Sequence, residues 1–301
     1  MPLYINENQA RLLLDMESTM AAIRKIFLAQ ALDRVENIPR TRSKLLGNSL
    51  NITAASNFDT GRYAVKVYGA GNFHIHLYEA KGGLLAIFEA DWMGQLRTGA
   101  TNGLAAKAMA RPHSRRVGLI GAGRQAVTQL MALEAVGLQE AVAVYSRSEL
   151  RALDFCEKMS KRINSTMTLV KTPEDAVRDS DIVVTATTSN TPVFDPAALS
   201  FGTHINAMGA NSIARIELEP SLVQKAALLV CDDVTQARSE AGEFISLGAD
   251  FDWRRLKPLS KVLMNPEFSR TDQDITIFKS LGSGLEDLAV AELLYDRLHQ
   301  C

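Results

Sequence analysis

Apolar positions in this chain change their period partway along it. Near the start, Met16, Met20, Ile23 and Phe27 recur at helical spacing and predict an amphipathic helix that ends before Asn37-Ile38-Pro39. Alternating runs follow at 50–55, 62–68, 73–78 and 84–89, with glycines at 69, 71, 82 and 83 between them. Consecutive strands with short turns predict a mainly antiparallel sheet. A Gly/Ala-rich helix over about 93–110 then leads to Pro112. Beyond Ser114 the rhythm is different. Apolar runs at 117–120, 141–145, 167–170, 182–185, 204–207 and 227–230 alternate with helical stretches at 125–136, 149–162 and 173–178. That alternation predicts an α/β, Rossmann-type doubly wound parallel sheet beside the earlier α+β domain. The tail GLEDLAVAELLYDRL repeats apolar residues at helical spacing and could return to the first domain. The expected division is 1–112, 113–282 and a returning helix at 283–301.

The junction of strand and helix at 116–126, RVGLIGAGRQA, changes the picture most. Gly121 permits a tight turn, Gly123 lets backbone approach a phosphate, and Ala126 lets the helix pack closely. The N–H groups at the start of that helix then face an anion, which predicts a bound dinucleotide. The end of the second parallel strand, about 20 residues on, is where the adenosine ribose is read. An Asp or Glu there suits NAD(H); this chain has Ser146 and Arg147. A guanidinium with hydroxyls suits a 2′-phosphate, so NADP(H) is favoured, with NAD(H) possible.

Composition narrows the classes. The 301 residues are 47% hydrophobic and 22% charged with a net charge of −1, which gives no field for nucleic acid or an anionic membrane. No apolar run is long enough to span a bilayer, and the N-terminus lacks signal-peptide character. Cys156, Cys231 and Cys301 are scattered and read as reduced thiols, so a cytoplasmic protein is expected. His74 and His76 share a strand face, but the histidines show no HExxH or C-x-x-C partner, and no metal is expected.

Several cations in the first domain stand out. Lys66, in RYAVKVY, shares a sheet face with Ala64 and Tyr68, either as a snorkelling edge residue or as a group held for chemistry. Arg97 is expected in the first turn of the Gly/Ala-rich helix, where a cation needs an anionic partner. Arg40 and Arg42, in IPRTR, could each aim a guanidinium fork at a carboxylate.

The segments IPRTR, YAVKVY, LRTGATNGLAAKAMARP, GLIGAGRQA, INAMGAN and FKSLGSGLEDLAVA resemble the ornithine cyclodeaminase/μ-crystallin family over essentially the whole chain. The resemblance implies a dimerising substrate domain, a Rossmann domain and a homodimer, which sheet edges in the first domain would favour. It implies that Arg40 (or Arg42), Lys66 and Arg97 hold a substrate carboxylate and the reacting nitrogen. Arg97 and Thr98 would approach the cofactor, Arg124 and Gln125 cover the pyrophosphate, and Thr187 lie on the adenosine side. Met208 and Gly209 would flank the nicotinamide, with Ser280 and Leu281 near its carboxamide or the substrate. Ornithine cyclodeaminases place an aspartate where this chain has Asn211, which takes up no proton at neutral pH. Asn211 would then orient substrate or water, and Lys66 would manage the proton. The implied activity is NAD(P)H-dependent reduction of cyclic ketimines or α-imino acids, or amino-acid dehydrogenation. The alternatives are an NAD⁺-dependent ornithine cyclodeaminase and a non-catalytic NADPH-linked binding protein.

Overall fold

The computed structural model describes residues 1–46, 48–265 and 270–300. Two compact units divide the chain: Met1–Thr101 with the segment from Gly282 onward, and Asn102–Leu281.

The first unit opens with strand β1 (Leu3–Ile5) and helices α1 (Glu7–Leu13) and α2 (Met16–Ala31). Asn6 and Gln9 form a capping box for α1, and the Asp15 carboxylate caps α2. Met16, Met20, Ile23 and Phe27 are all buried, as the helical stripe predicts. Strands β2 (Val35–Leu45), β3 (Asn48–Asn57), β4 (Arg62–Gly69), β5 (Asn72–Glu79) and β6 (Gly83–Glu89) form an antiparallel meander. β1 adds to β6 in parallel, so the sheet order is β1-β6-β5-β4-β3-β2. The final helix, Gly284–Gln300, packs on α2, β3 and β4. It covers the face that carries Ala55, Ala64, Ile75 and Leu77, all buried. The opposite face keeps Ile38, Leu50, Ile52 and Tyr63 exposed.

Helix α3 (Asp91–Met109) follows, and the division between the units falls inside it at Thr101, whereas the sequence suggests a border at 112. It also starts earlier than its composition predicts, because the Glu7 carboxylate accepts from the Asp91 and Trp92 amides. Arg97 therefore lies in the second turn, not the first, and the argument from an unfavourable helix dipole does not apply to it.

The second unit contains β7 (Arg116–Ile120), α4 (Arg124–Ala135), β8 (Ala141–Tyr145), α5 (Glu149–Met159), β9 (Thr166–Leu169), α6 (Pro173–Val177), β10 (Ile182–Thr185) and β11 (His204–Ala207). Next come α7 (Pro220–Lys225), β12 (Leu228–Cys231), α8 (Val234–Glu240), α9 (Gly242–Ile245), β13 (Leu256–Pro258), α10 (Leu259–Met264) and β14 (Thr276–Lys279), before the final helix, α11 (Gly284–Gln300). All eight strands are parallel, in the order β13-β12-β14-β11-β10-β7-β8-β9. β10, β11 and β12 are buried at every position, as sheets covered on both faces require. The chain proceeds from β7 to β8 in one direction and from β7's other neighbour, β10, in the opposite one. That reversal opens a crevice at the carboxyl ends of β7 and β10, the place where open α/β sheets bind ligands.

Candidate functional site

In the second unit, Gly121 turns the chain sharply out of β7 with φ of +110°, and a Cβ there would lie 2.4 Å from the Ala186 carbonyl oxygen. Only glycine fits. Gly123 is the N-cap of α4, has no side chain with which to cap it, and has open space where its Cβ would be. The first turn of α4 can thus offer its N–H groups to an anion. Ala126 is fully buried, which lets α4 approach the sheet. A cleft of about 400 Å³ opens over this turn, lined among others by Gly121, Gly123, Ser146, Arg147, Arg151 and Thr187. Among the described residues, two arginines and no carboxylate line it. That donor set fits a ligand carrying several phosphates. Arg124 is exposed at the first position of α4, and Gln125 beside it is half-buried.

Thr187 does not present a free hydroxyl. Its Oγ1 and its amide both donate to Glu217 Oε1, each at 2.8 Å. Glu217 is completely buried and also accepts from Thr185 Oγ1 at 2.9 Å, the Gly209 amide at 2.7 Å and the Ala210 amide at 3.2 Å. Burial pushes its carboxyl up from the ordinary value. Met208, Ser280 and Leu281 are buried too, and the Leu281 amide donates to Asp232 Oδ2 at 2.7 Å. Asn211 is half-buried. None of Met208, Gly209, Asn211, Ser280 or Leu281 lines the cleft.

The first unit gathers charge. Lys66 on β4 and Arg97 on α3 are 5% and 8% exposed, and both reach the same carboxylate oxygen. Lys66 Nζ donates to Asp287 Oδ1 at 3.0 Å, and Arg97 Nε donates to it at 3.1 Å. Arg97 Nη1 donates to Glu286 Oε2 at 2.8 Å. Thr53 donates to Asp287 Oδ2, Thr101 to Glu286 Oε2, and the Ser283 amide and hydroxyl to Glu286 Oε1. Arg40 sits in β2 where the register breaks between Ile38 and Thr41, and its Nη2 donates to the Gly282 carbonyl at 2.8 Å. Arg42, two residues on, instead donates to Asn51 on β3. Two glycines make room: a Cβ on Gly282 would lie 2.6 Å from Arg97 Nη1, and one on Gly94 would lie 3.1 Å from Lys66 Nζ. The Thr98 hydroxyl turns back to the Gly94 carbonyl.

Burial lowers the Lys66 ammonium; Asp287 works against this, while Arg97 and Arg40 add to it, and the balance falls below the ordinary lysine value. Asp287 is raised by burial but more strongly lowered by Lys66 and Arg97, and it ends below the usual carboxylate range. Arg40, Lys66 and Arg97 therefore form one electrostatic group with Glu286 and Asp287. Sequence reasoning missed both acids. The signal was present: Glu286 and Asp287 precede an apolar helical stripe whose neighbours, Leu285 and Leu288, are completely buried. Adjacent acids entering a core require buried cations. Glu217 gave no comparable signal, because its partners are mostly backbone amides.

The profile of the ornithine cyclodeaminase/mu-crystallin family matches residues 11–301. Over 217 residues, 71% of the chain, the sequence is 34% identical to Delta(1)-pyrroline-2-carboxylate reductase of Bacillus cereus, and the match spans 66% of that protein. The fold superposes with a TM-score of 0.94 on Thermococcus litoralis Delta(1)-pyrroline-2-carboxylate reductase in complex with NADH and L-proline, at 28% identity, covering 99% of this chain and 98% of the other. An archaeal alanine dehydrogenase dimer with bound NAD gives a TM-score of 0.93 at 28% identity, covering 99% and 96%.

Proposed function

Because the chain belongs to the ornithine cyclodeaminase/mu-crystallin family, we propose that it is an NAD(P)H-dependent reductase of cyclic ketimines or α-imino acids, or an amino-acid dehydrogenase. The observation that carries this reading is the charge balance of the buried cluster. Among the described residues, Arg40, Lys66 and Arg97 gather with Glu286 and Asp287, three cationic side chains to two carboxylates. A substrate carboxylate answers that excess, with Arg40 and Arg97 giving charge-assisted hydrogen bonds. Lys66, made more acidic by burial, hands a proton from Nζ to the imine nitrogen and recovers one from water. Asn211 orients substrate or water without acid–base work.

The cleft over Gly121 and Gly123 would hold the dinucleotide, which when bound would supply the hydride. The Thermococcus litoralis reductase, with NADH and L-proline bound, supports both ligand classes. Ser146 and Arg147, in a cleft without a carboxylate, support NADP(H) over NAD(H). Arg124, Gln125 and Thr187 would border the pyrophosphate and adenosine, and Met208, Gly209, Ser280 and Leu281 the nicotinamide end. The first unit serves as substrate and dimerisation domain. Its uncovered sheet face, with Ile38, Leu50, Ile52 and Tyr63 exposed, suits a homodimer better than its edges do, since β1 narrows one edge to three residues. A cytoplasmic location fits the free thiols of Cys156 and Cys231.

A panel of cyclic imines and 2-oxo acids with amines, each followed by nicotinamide absorbance with NADPH and NADH, tests the reading. Consumption of NADPH with a cyclic imine is expected. Release of ammonia from ornithine without net cofactor change would instead identify a cyclodeaminase. Arg147→Asp is expected to weaken NADPH about tenfold and NADH little, by loss of one charge-assisted contact. Equal weakening would remove the NADP(H) preference.

A further inference from the structure

We infer that Glu217 is a positioning residue for the dinucleotide: its carboxylate ties the loop after β10 to the loop after β11, and so fixes how far apart the two ends of the ligand are received. The inference rests on the dinucleotide reading above.

Two oxygens accept five hydrogen bonds, one more than the roughly four lone-pair sites of a carboxylate, so none of its acceptor capacity is left over. Three of the donors, Thr185 Oγ1 and the amide and hydroxyl of Thr187, belong to the end of β10 and its loop. The other two, the amides of Gly209 and Ala210, belong to the loop after β11. The loops also touch directly: a Cβ on Gly209 would lie 2.2 Å from the Thr187 carbonyl oxygen and 2.4 Å from Glu217 Oε1. Thr187 lines the cleft beside Ser146 and Arg147, whereas Gly209 follows the strand one place further from the reversal point. Glu217 thus spans two successive stations along the crevice.

Its own position is fixed from beneath. The Glu217 amide donates to Glu243 Oε1 at 3.0 Å, and Lys279 Nζ donates to the same oxygen at 3.0 Å. Lys279 closes β14, the neighbour of β11, so the ends of three adjacent strands converge on one buried network. Both Glu217 oxygens are engaged, and a buried carboxylate so satisfied holds its donors in place.

Glu217→Gln keeps the shape but turns an NH2 group toward amide donors. Calorimetry with NADPH and with adenosine 2′,5′-bisphosphate, a half-ligand that reaches only the Thr187 end of the tie and so does not sense its span, separates the roles. The variant is expected to bind NADPH at least about tenfold more weakly while the half-ligand stays within about twofold, and kcat to fall. A purely structural role would weaken both ligands together. That result, or unchanged NADPH affinity and kcat, would overturn the inference. Should Glu217→Gln not fold, Thr185→Val removes one of the five donors and is judged by the same split, expected at about threefold. Wild-type protein that binds neither ligand would remove the nucleotide reading itself, a result distinct from any produced by the variants.

Discussion

The first unit builds its site from side chains brought together from distant parts of the chain: Arg40 on β2, Lys66 on β4, Arg97 on α3, and Glu286 and Asp287 on α11. The second unit builds its cleft largely from backbone, and the decisive residues, Gly121, Gly123 and Ala126, lie within two turns of one another. The former depends on charges that neutralise each other out of water. The latter depends on the absence of side chains. A charge-built site fails by losing its balance, and a backbone-built site fails by gaining a carbon atom.

Acid should separate the two units most strongly. His204, at the start of β11, is wholly buried, and burial lowers its pKa to about 3. Between its usual value near 6.5 and about 3, the unfolded chain holds a proton there that the folded unit refuses. Stability therefore falls as pH drops through that window, by up to about 5 kcal/mol. Asp287 in the first unit is lowered, so its contribution is complete above the ordinary carboxylate range and is lost only as pH falls through the depressed value. Amide exchange followed from pH 7 downward should show the second unit losing protection first, and His204→Gln should flatten that loss. Simultaneous loss in wild type and variant would break the comparison.

Lys66→Met is the next largest perturbation. Asp287 keeps Arg97 and Thr53, so the fold should persist, while turnover falls roughly a thousandfold with loss of the proton donor. NADPH affinity should stay unchanged by calorimetry. Turnover close to wild type would show that the cluster only binds.

Gly121→Ala tests the backbone-built side. The added carbon meets the Ala186 carbonyl, and the left-handed φ strains any replacement, so NADPH affinity should fall about a hundredfold. Exchange protection of β3, β4 and α11 should be unaffected. Loss of protection there would mean that the two units do not respond independently.

The same contrast explains what the chain reveals when read as a string. The turn after β7 is legible because its chemistry is contiguous, and the inner strands β7, β10 and β12 are legible because burial on both faces makes them nearly continuous apolar runs. β13 and β14 are not. β13 has three residues and ends in proline, and β14 ends in Lys279, whose burial makes sense only with Glu243 opposite it. The start of α3 is hidden because its cap, Glu7, comes from another helix. Lys66 and Arg97 are conspicuous as cations in improbable places, but their partners lie nearly two hundred residues or more away in sequence. Glu217 is silent because three of the five groups it holds are amides, which every residue but proline has.

The return of α11 bears on the order in which the protein is made. Until Glu286 and Asp287 have left the ribosome, Lys66 and Arg97 lack the two carboxylates that accept from them in the folded unit, and withdrawing them from water is costly. Residues 1–101 must therefore wait for the segment from Gly284, while everything between Asn102 and Leu281 can settle in the meantime. A nascent chain halted before Gly284 should carry a finished second unit and an open first one.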